Sequence, residues 1–336
     1  MANARAAADM TSRVLISVVS WNSADSIQAC LAALQAQTAP ADILVVDNAS
    51  SDGCLNLVRH DFPGVAIVQL PTNTGFCGGH NVALLHAREH GHDFVWLVND
   101  DTHCAPETLA RLLSAMAAQP DCHVLSPVIV NRVGETRSVE FCGAALDPRV
   151  LRKRKAKDAT EALALAADPG LVPMVPGTAL LIRRTLIDRI GLLNEHLFAY
   201  FDDDDFCTRC LKAGTTVRMC FDAEIWHDNP PFVQRSTHYH YLMARNRWLF
   251  WSSYFDGRMG AARRRRLAAR TLREAGSLAG RGHVQSARAA LRGLADAMRG
   301  RAGPPPATHL LSLPLFQLLN WHPFFLARLL SADDDA

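Results

Sequence analysis

Residues 97–104, "LVNDDTHC", close a strand-length apolar run, "FVWLVN" (94–99), with two adjacent carboxylates, Asp100 and Asp101, and a polar turn. Two neighbouring carboxylates cannot be buried without compensation, so the pair calls for water, hydrogen bonds or a cation. Adjacent strand residues point to opposite faces, and only one of the two can look directly at a bound ion. The reading gives that place to Asp101 and leaves Asp100 to hydrogen-bond a ligand. The plainer alternative is that both acids cap the helix that follows from Pro106.

The same pattern of apolar run, polar turn and helix recurs upstream. "VLISVVS" (14–20) is a β-branched run, and Asn22, Ser23 and Ser26 can start a helix that places Ile27, Leu31 and Leu34 on one face. "ADILVVDNASSDG" (41–53) repeats the unit and leads into a helix "CLNLVRH". "GVAIVQLP" (64–71) is a third strand, followed by a helix "GHNVALLHAREHG" (79–91). Strands alternating with helices predict an α/β fold with a mainly parallel sheet, in which ligands bind beyond the carboxyl ends of the strands. Asp47 with Asn48, Asn73 with Gly75, and Asn99 to Asp101 follow strands two, three and four, so topology gathers them along one edge.

The bulk properties are those of a folded chain without a nucleic-acid bias. It has 336 residues, 49% hydrophobic and 20% charged, with a net charge of +2. Nine cysteines in apolar contexts favour a reducing, cytoplasmic compartment over a disulfide framework. Cys207 and Cys210 form a C-x-x-C with no second pair, which reads as buried thiols ahead of zinc or redox chemistry. The start, "MANARAAADMTSR", has no uninterrupted apolar stretch of the kind a secretory signal needs.

Beyond residue 124 the alternation loosens. The basic stretch 149–170 reads as a mobile, solvated loop, with an anionic substrate or a membrane as the alternative contact. Residues 259–301 read as one or two amphipathic helices broken near 280–283, with an arginine run from Arg263 to Arg266. The apolar stretch 309–330 is interrupted by Pro314, Asn320, His322, Pro323 and Arg328, which suits a peripheral membrane contact or a homodimer interface better than a span.

Five motifs in order carry a family resemblance: "VDNASSDG" (46–53), "NTGFCGGHN" (73–81), "NDDT" (99–102), "VPGTALLIRR" (175–184) and "FAYFDDDDFCTRCLKAG" (198–214). Together they resemble glycosyltransferase family 2, most of all its rhamnosyltransferase-like branch, over residues 13–255. The resemblance implies a GT-A type nucleotide-sugar-binding fold with a mainly parallel central sheet, followed by C-terminal helices. The expected division is a tail (1–12), the transferase domain (13–255) and an amphipathic helical region (256–336).

It also implies an inverting, metal-dependent sugar transfer that uses Mg2+ or Mn2+ and a nucleotide-sugar donor. The donor expected for this branch is dTDP-L-rhamnose, and the acceptor a cell-surface polysaccharide or lipid-linked saccharide. On that resemblance Asp47 binds the nucleobase and ribose end, with Asn48 and Ser50 beside it. Asn73, Gly75, Gly78 and Gly79 form the turn over the ribose and diphosphate. Asp101 matches the last acid of the D-x-D metal motif, whose first position is Asn99 here. Asp203 matches the catalytic base of E-D-x-D, with Asp202 in place of the Glu and as the substitute candidate. His227 faces the metal or diphosphate, and Arg245 with Asn246 match an Arg-Asn pair of the branch.

The chemistry of the residues agrees with this. Mg2+ or Mn2+ needs only one or two protein carboxylates when waters and phosphates fill its shell. The Gly-rich stretch lets backbone N–H groups approach a phosphate at a helix N-terminus. Four acids, 202–205, between aromatics crowd like charges and raise at least one pKa, as a general base needs, with Asp205 expected to cap the helix. Arg245 can pair with phosphate or lie on a helix surface. Two alternatives remain beside the transferase. A nucleotidyltransferase would need a basic Gly-rich loop that "SVVSWNSADS" does not supply, and an inactive sugar-nucleotide-binding module sits poorly with intact acids at 47, 101 and 203.

Overall fold

The computed structural model describes residues 12–133, 136–227 and 235–320. The tail 1–11 and the end of the apolar stretch beyond residue 320 lie outside the described residues. By their internal contacts the described residues form two units, one of 12–195 with 202–227 and the other of 196–201 with 235–320.

The first unit begins with the expected alternation. Strand β1 (Val14–Ser20) leads to helix α1 (Ile27–Gln35), β2 (Asp42–Asp47) to α2 (Cys54–Asp61), and β3 (Ala66–Gln69) to α3 (Gly75–Glu89). Then come β4 (Phe94–Asn99), the short β5 (Thr102–Cys104) and α4 (Thr108–Ala117). Strands β3, β2, β1 and β4 lie side by side and all parallel, with Ile16 opposite Ile43 on one side and Trp96 on the other. Helices cover both faces of such a sheet, which is why β1 and β4 are almost continuously apolar and buried rather than alternating.

The sheet continues through β11 (Ala179–Arg183), β6 (Cys122–Val133), β12 (Thr216–His227) and β5, with β7 (Thr136–Phe141) paired to β6. Strand β11 is antiparallel to both β4 and β6, while β12 is parallel to β6. Two reversals restore the original direction, so β6 and β12 end at the same edge as β1 to β4. His227, the last residue of β12, is thereby carried to the edge where β4 ends at Asn99.

The basic stretch expected to be a mobile loop is ordered. Residues Ala144–Asp147 (β8) and Arg152–Lys155 (β9) form a hairpin, helix α5 spans Ala159–Ala167, and Val172–Met174 (β10) completes a three-stranded antiparallel sheet. The reason is local. Asp147 binds the Arg149 side chain and backbone N–H in the turn, and Asp158 caps α5 by accepting from the Glu161 N–H at 2.8 Å. Helices α6 (Thr185–Ile190) and α7 (Asp202–Lys212) finish the unit.

The second unit is helical: α8 (Thr237–Tyr254), α9 (Ala261–Gly280), α10 (Val284–Met298) and α11 (Leu313–Asn320). The break between α9 and α10 falls at the predicted "GRGH", where Gly282 adopts φ +84°. Ala275, Leu278, Ala287, Leu291 and Phe316 form its core with Ala244 of α8. Helices α8 and α10 touch at backbone distance, because a Cβ on Gly293 would lie 2.2 Å from the carbonyl oxygen of Tyr241. No helix among the described residues is long and apolar enough to cross a membrane.

Candidate active site

The carboxyl ends of the parallel strands hold the predicted residues. Asp47 ends β2 and is 1% exposed; its Oδ1 accepts the Ser50 N–H at 3.1 Å, while its buried Oδ2 has no hydrogen-bond partner. Asn48 is committed to the next loop. Its Oδ1 accepts from the Thr74 N–H and hydroxyl, and its Nδ2 donates to the Gly75 carbonyl at 2.9 Å. Ser50 is tied to the β1 loop by accepting the Asn22 N–H. Asn73 accepts the Gly75 N–H at 2.8 Å and so fixes the turn in which Gly75 takes φ +76°.

Residues 75–79 form the first turn of α3 rather than a loop. A Cβ on Gly78 would meet the Thr74 side chain at 2.5 Å, and one on Gly79 the Val19 methyls at 2.6 and 2.8 Å. These two glycines let the helix lie against β1 and its own entry turn. The N–H groups of that first turn lack carbonyl partners within the helix.

Asp100 and Asp101 diverge, but from the turn between β4 and β5 and not from a strand. Asp100 turns to the end of β1, near the Ser23 side chain and the Trp21 backbone, and burial together with the neighbouring Asp101 charge pushes its pKa up to about 6. Asp101 faces His227, with Oδ1 to Nε2 at 3.2 Å. Strand β5 separates both acids from α4, which starts at Thr108, so neither caps it. The other ring nitrogen of His227 lies 3.4 Å from Glu140 of β7, and the Asn99 amide nitrogen is 3.5 Å from Nε2. Burial alone would lower the His227 pKa, but the carboxylates of Asp101 and Glu140 more than offset this and raise it to about 9.

Asp101 Oδ1 is buried and outside hydrogen-bond geometry. The Asp101 carboxylate suits Mn2+ or Mg2+ completed by phosphate oxygens and water, and His227 can add a nitrogen ligand, better matched to Mn2+, by giving up the proton that Asp101 and Glu140 favour. No group of three or more His, Cys, Asp or Glu placed to hold a metal occurs among the described residues. Cys207 and Cys210 are buried free thiols.

Helix α7 opens with the four acids. Asp202 is 6% exposed; burial and then the Asp203 charge raise its pKa to about 8. Its Oδ2 lies near Gly177, in the turn before β11 whose Thr178 carbonyl accepts the Asn99 N–H. Asp203 is the more accessible acid, with Oδ1 accepting the Asp204 N–H at 2.8 Å. Asp204 is buried beside Lys153 of β9, Nζ to Oδ1 2.9 Å. Asp205, expected to cap the helix, instead sits within it and pairs with Arg209 one turn on, at 2.8 Å. Sequence reasoning missed Lys153 and Glu140: the first is one of four consecutive basic residues, the second an unremarkable strand acid, and only register turns each inward.

Arg245 belongs to the second unit. Its guanidinium donates to the carbonyls of Gly303 and Leu197 and to the Asn246 side chain, and Asn246 Nδ2 reaches the carbonyls of Leu197, Ala199 and Tyr200. These bonds hold residues 197–200, where Phe198 and Tyr200 adopt positive φ, as does Phe201 next to them. A separate cavity of about 490 Å³, lined by Arg13, Asp42, His86, His90 and His92 among others, lies at the opposite, amino-terminal edge of the parallel strands.

Comparison with known proteins places this geometry in a family. Residues 12–250 match the model described as glycosyltransferase like family 2. The chain is 31% identical over 224 residues to galactofuranosyltransferase GlfT1 of Mycobacterium tuberculosis, covering 65% of this chain and 71% of that one. It is 25% identical over 239 residues to N-acetylglucosaminyl-diphospho-decaprenol L-rhamnosyltransferase of the same organism, covering 65% and 76%. Among solved structures, the mannosyltransferase PcManGT of Pyrobaculum calidifontis, in complex with GDP-Man and Mn2+, superposes with a TM-score of 0.52 at 19% identity over 98% of this chain and 90% of that one, a likeness of fold. With a matching family model over most of its length and a GT-A fold, the chain belongs to glycosyltransferase family 2 and is a glycosyltransferase.

Proposed function

We propose that this glycosyltransferase moves one sugar from a nucleotide-sugar donor, dTDP-L-rhamnose in our reading, onto a cell-surface polysaccharide or lipid-linked saccharide, with inversion at the anomeric carbon. The observation that carries the reading is the meeting of Asp101 and His227 at the strand edge that also bears Asp47, whose buried Oδ2 has no hydrogen-bond partner. A donor's nucleobase and ribose end would satisfy Asp47, with Asn48, Ser50 and Asn73 shaping the loops around it. Asp101 and His227 would hold Mg2+ or Mn2+, which when bound supplies charge neutralisation of the leaving diphosphate.

Asp203 acts as the base. Its carboxylate takes the proton of the acceptor hydroxyl as that oxygen bonds to the anomeric carbon, and the bond from that carbon to the diphosphate oxygen breaks with its electron pair leaving on phosphate. Asp202, held protonated by burial, serves as a neutral hydrogen-bond donor near Gly177. Asp100 supports the donor from the β1 side. Arg245 holds residues 197–200 within the second unit. The exposed arginines from Arg263 to Arg266 and the exposed Leu313 and Leu315 support a peripheral contact with anionic lipid, where lipid-linked acceptors reside.

The sugar has a second reading: the relative at 31% identity is named for galactofuranose transfer. A panel of nucleotide sugars, assayed with and without Mn2+ on membrane extracts that contain lipid-linked saccharides, tests both. Metal-dependent transfer from dTDP-L-rhamnose is expected, lost by roughly 10²–10⁴-fold in Asp203→Asn while donor binding persists. Transfer from a galactofuranose donor alone would overturn the rhamnose reading, and an active Asp203→Asn the assignment of the base.

A further inference from the structure

We infer that Lys153 is a positioning residue of the transfer reaction, a cation delivered by β9 that anchors Asp204 and sets its positive charge beside the Asp203 carboxylate. The inference rests on the reading of Asp203 as base. Strand β9 is a run of four basic residues, Arg152 to Lys155, of which Arg152, Arg154 and Lys155 are exposed. Lys153 is turned inward onto the start of α7. Its Nζ lies 2.9 Å from Asp204 Oδ1 and 3.8 Å from Asp203 Oδ2.

The two distances divide the roles. Asp204 is 3% exposed at its side chain, and a charge so buried persists only when paired, so the short contact is structural. Asp203 is 20% exposed and its Oδ2 lies beyond hydrogen-bond reach of Nζ. Lys153 therefore favours the negative carboxylate through its field without occupying the oxygen that must receive the acceptor proton. Oδ1 is already engaged by the Asp204 N–H, which leaves Oδ2 as the open position.

The surroundings are crowded with acids. On its own helix Asp203 faces Asp202, Asp204 and Cys207 one turn on, and Asp205 faces Asp204; Cys77 of α3 lies near Asp202, Asp205 and Glu195. Asp205 is neutralised by Arg209. Strand β10, packed on α7, brings no titratable side chain. Strand β12 brings Glu224 and His227, taken up by Arg137 and by Asp101 with Glu140, the buried thiol Cys220, and the exposed Arg218 and Asp222. Burial pushes Asp202 and Asp204 up to about 8 and about 7, so the site strongly disfavours added negative charge. Lys153 is the counter-charge that β9 brings to this cluster, 3.8 Å from Asp203 and 2.9 Å from Asp204.

The test is the pH dependence of kcat for sugar transfer by the full chain, for wild type, Lys153→Gln, Lys153→Met and Lys153→Arg. Lys153→Gln keeps a hydrogen-bond donor for Asp204 while removing the charge, which guards against misfolding. The expected result is an acid limb moved upward by about one pH unit or more in Lys153→Gln and Lys153→Met, and left in place in Lys153→Arg. A uniform loss of activity with the limb unmoved, or no change at all, would overturn the inference. Asp203→Asn assayed in parallel separates the two failures: if it still turns over, the base assignment falls and the inference with it; if it is dead while the Lys153→Gln limb stays put, only the role of Lys153 falls.

Discussion

Asp101 Oδ1 and His227 Nε2 lie 3.2 Å apart, although one follows β4 and the other ends β12. Two strand reversals around β11 bring them together, and Glu140 holds the far side of the imidazole at 3.4 Å. The imidazole is thus held between two carboxylates, the arrangement that the metal site proposed above calls for. Titration calorimetry with Mn2+ in the presence of a nucleoside diphosphate should show weakened metal binding in Asp101→Asn and His227→Ala, and a loss of about 10- to 100-fold in Glu140→Gln. Unchanged affinity in all three would remove the metal from this place.

Arg245 and Asn246 bond to carbonyls of residues 197–200 and 303 instead of facing a ligand within their unit. Replacing Asn246 by Ala strands buried carbonyls, at a cost of about 1–3 kcal/mol for an unsatisfied group. Thermal denaturation should show a clear drop in Tm for Asn246→Ala and for Arg245→Lys, with donor affinity kept within a few-fold. A selective rise in donor KM with normal Tm for Arg245→Lys would instead return Arg245 to phosphate binding.

Gly79 has no room for a side chain, since its Cβ would press on both Val19 methyls and come within 3.1 Å of the Asn48 amide. Gly79→Ala should destabilise the fold by about 1–3 kcal/mol through overpacking. Adding Val19→Ala should recover part of that loss in a denaturant titration, whereas a glycine needed only for phosphate access would gain nothing from the second change.

His80 is fully buried between β1 and α3, its Nδ1 2.8 Å from the Ser17 hydroxyl and its ring edge-on to Phe76. Burial lowers its pKa from 6.5 to about 3. The unfolded chain therefore binds the proton first, so the stability contributed by neutral His80 is complete above pH 6.5 and is lost as pH falls from 6.5 towards 3, at up to about 1.4 kcal/mol per pH unit. Denaturant midpoints measured across that window should fall less steeply for His80→Gln than for wild type; parallel slopes would show that His80 titrates normally.

Much of this protein was legible in the linear chain, because β–α alternation and polar turns after apolar runs are local signals. The repeated unit predicted the parallel strands β1 to β4 and the edge at which Asp47, Asn73 and Asp101 lie, whereas the divergence of Asp100 from Asp101 comes from the turn between β4 and β5 and not from the strand alternation expected. The loop prediction for 149–170 failed because a run of like charges looks solvated, whereas in a hairpin every second side chain turns inward and Lys153 meets Asp203 and Asp204. Likewise a row of acids suggests a cap at Asp205, but Arg209 one turn later takes it as an ion pair.

Sequence by itself determined the fold class, the order of the motifs and the candidate residues of the strand edge, since these depend on composition and spacing over a few turns. Tertiary structure alone decided which of them meet: His227 with Asp101 and Glu140, Lys153 with the acids of α7, and Arg245 with backbone carbonyls. Those pairings depend on strand direction and register between distant segments, and a one-residue shift in register would turn every side chain of β9 or β12 to the opposite face.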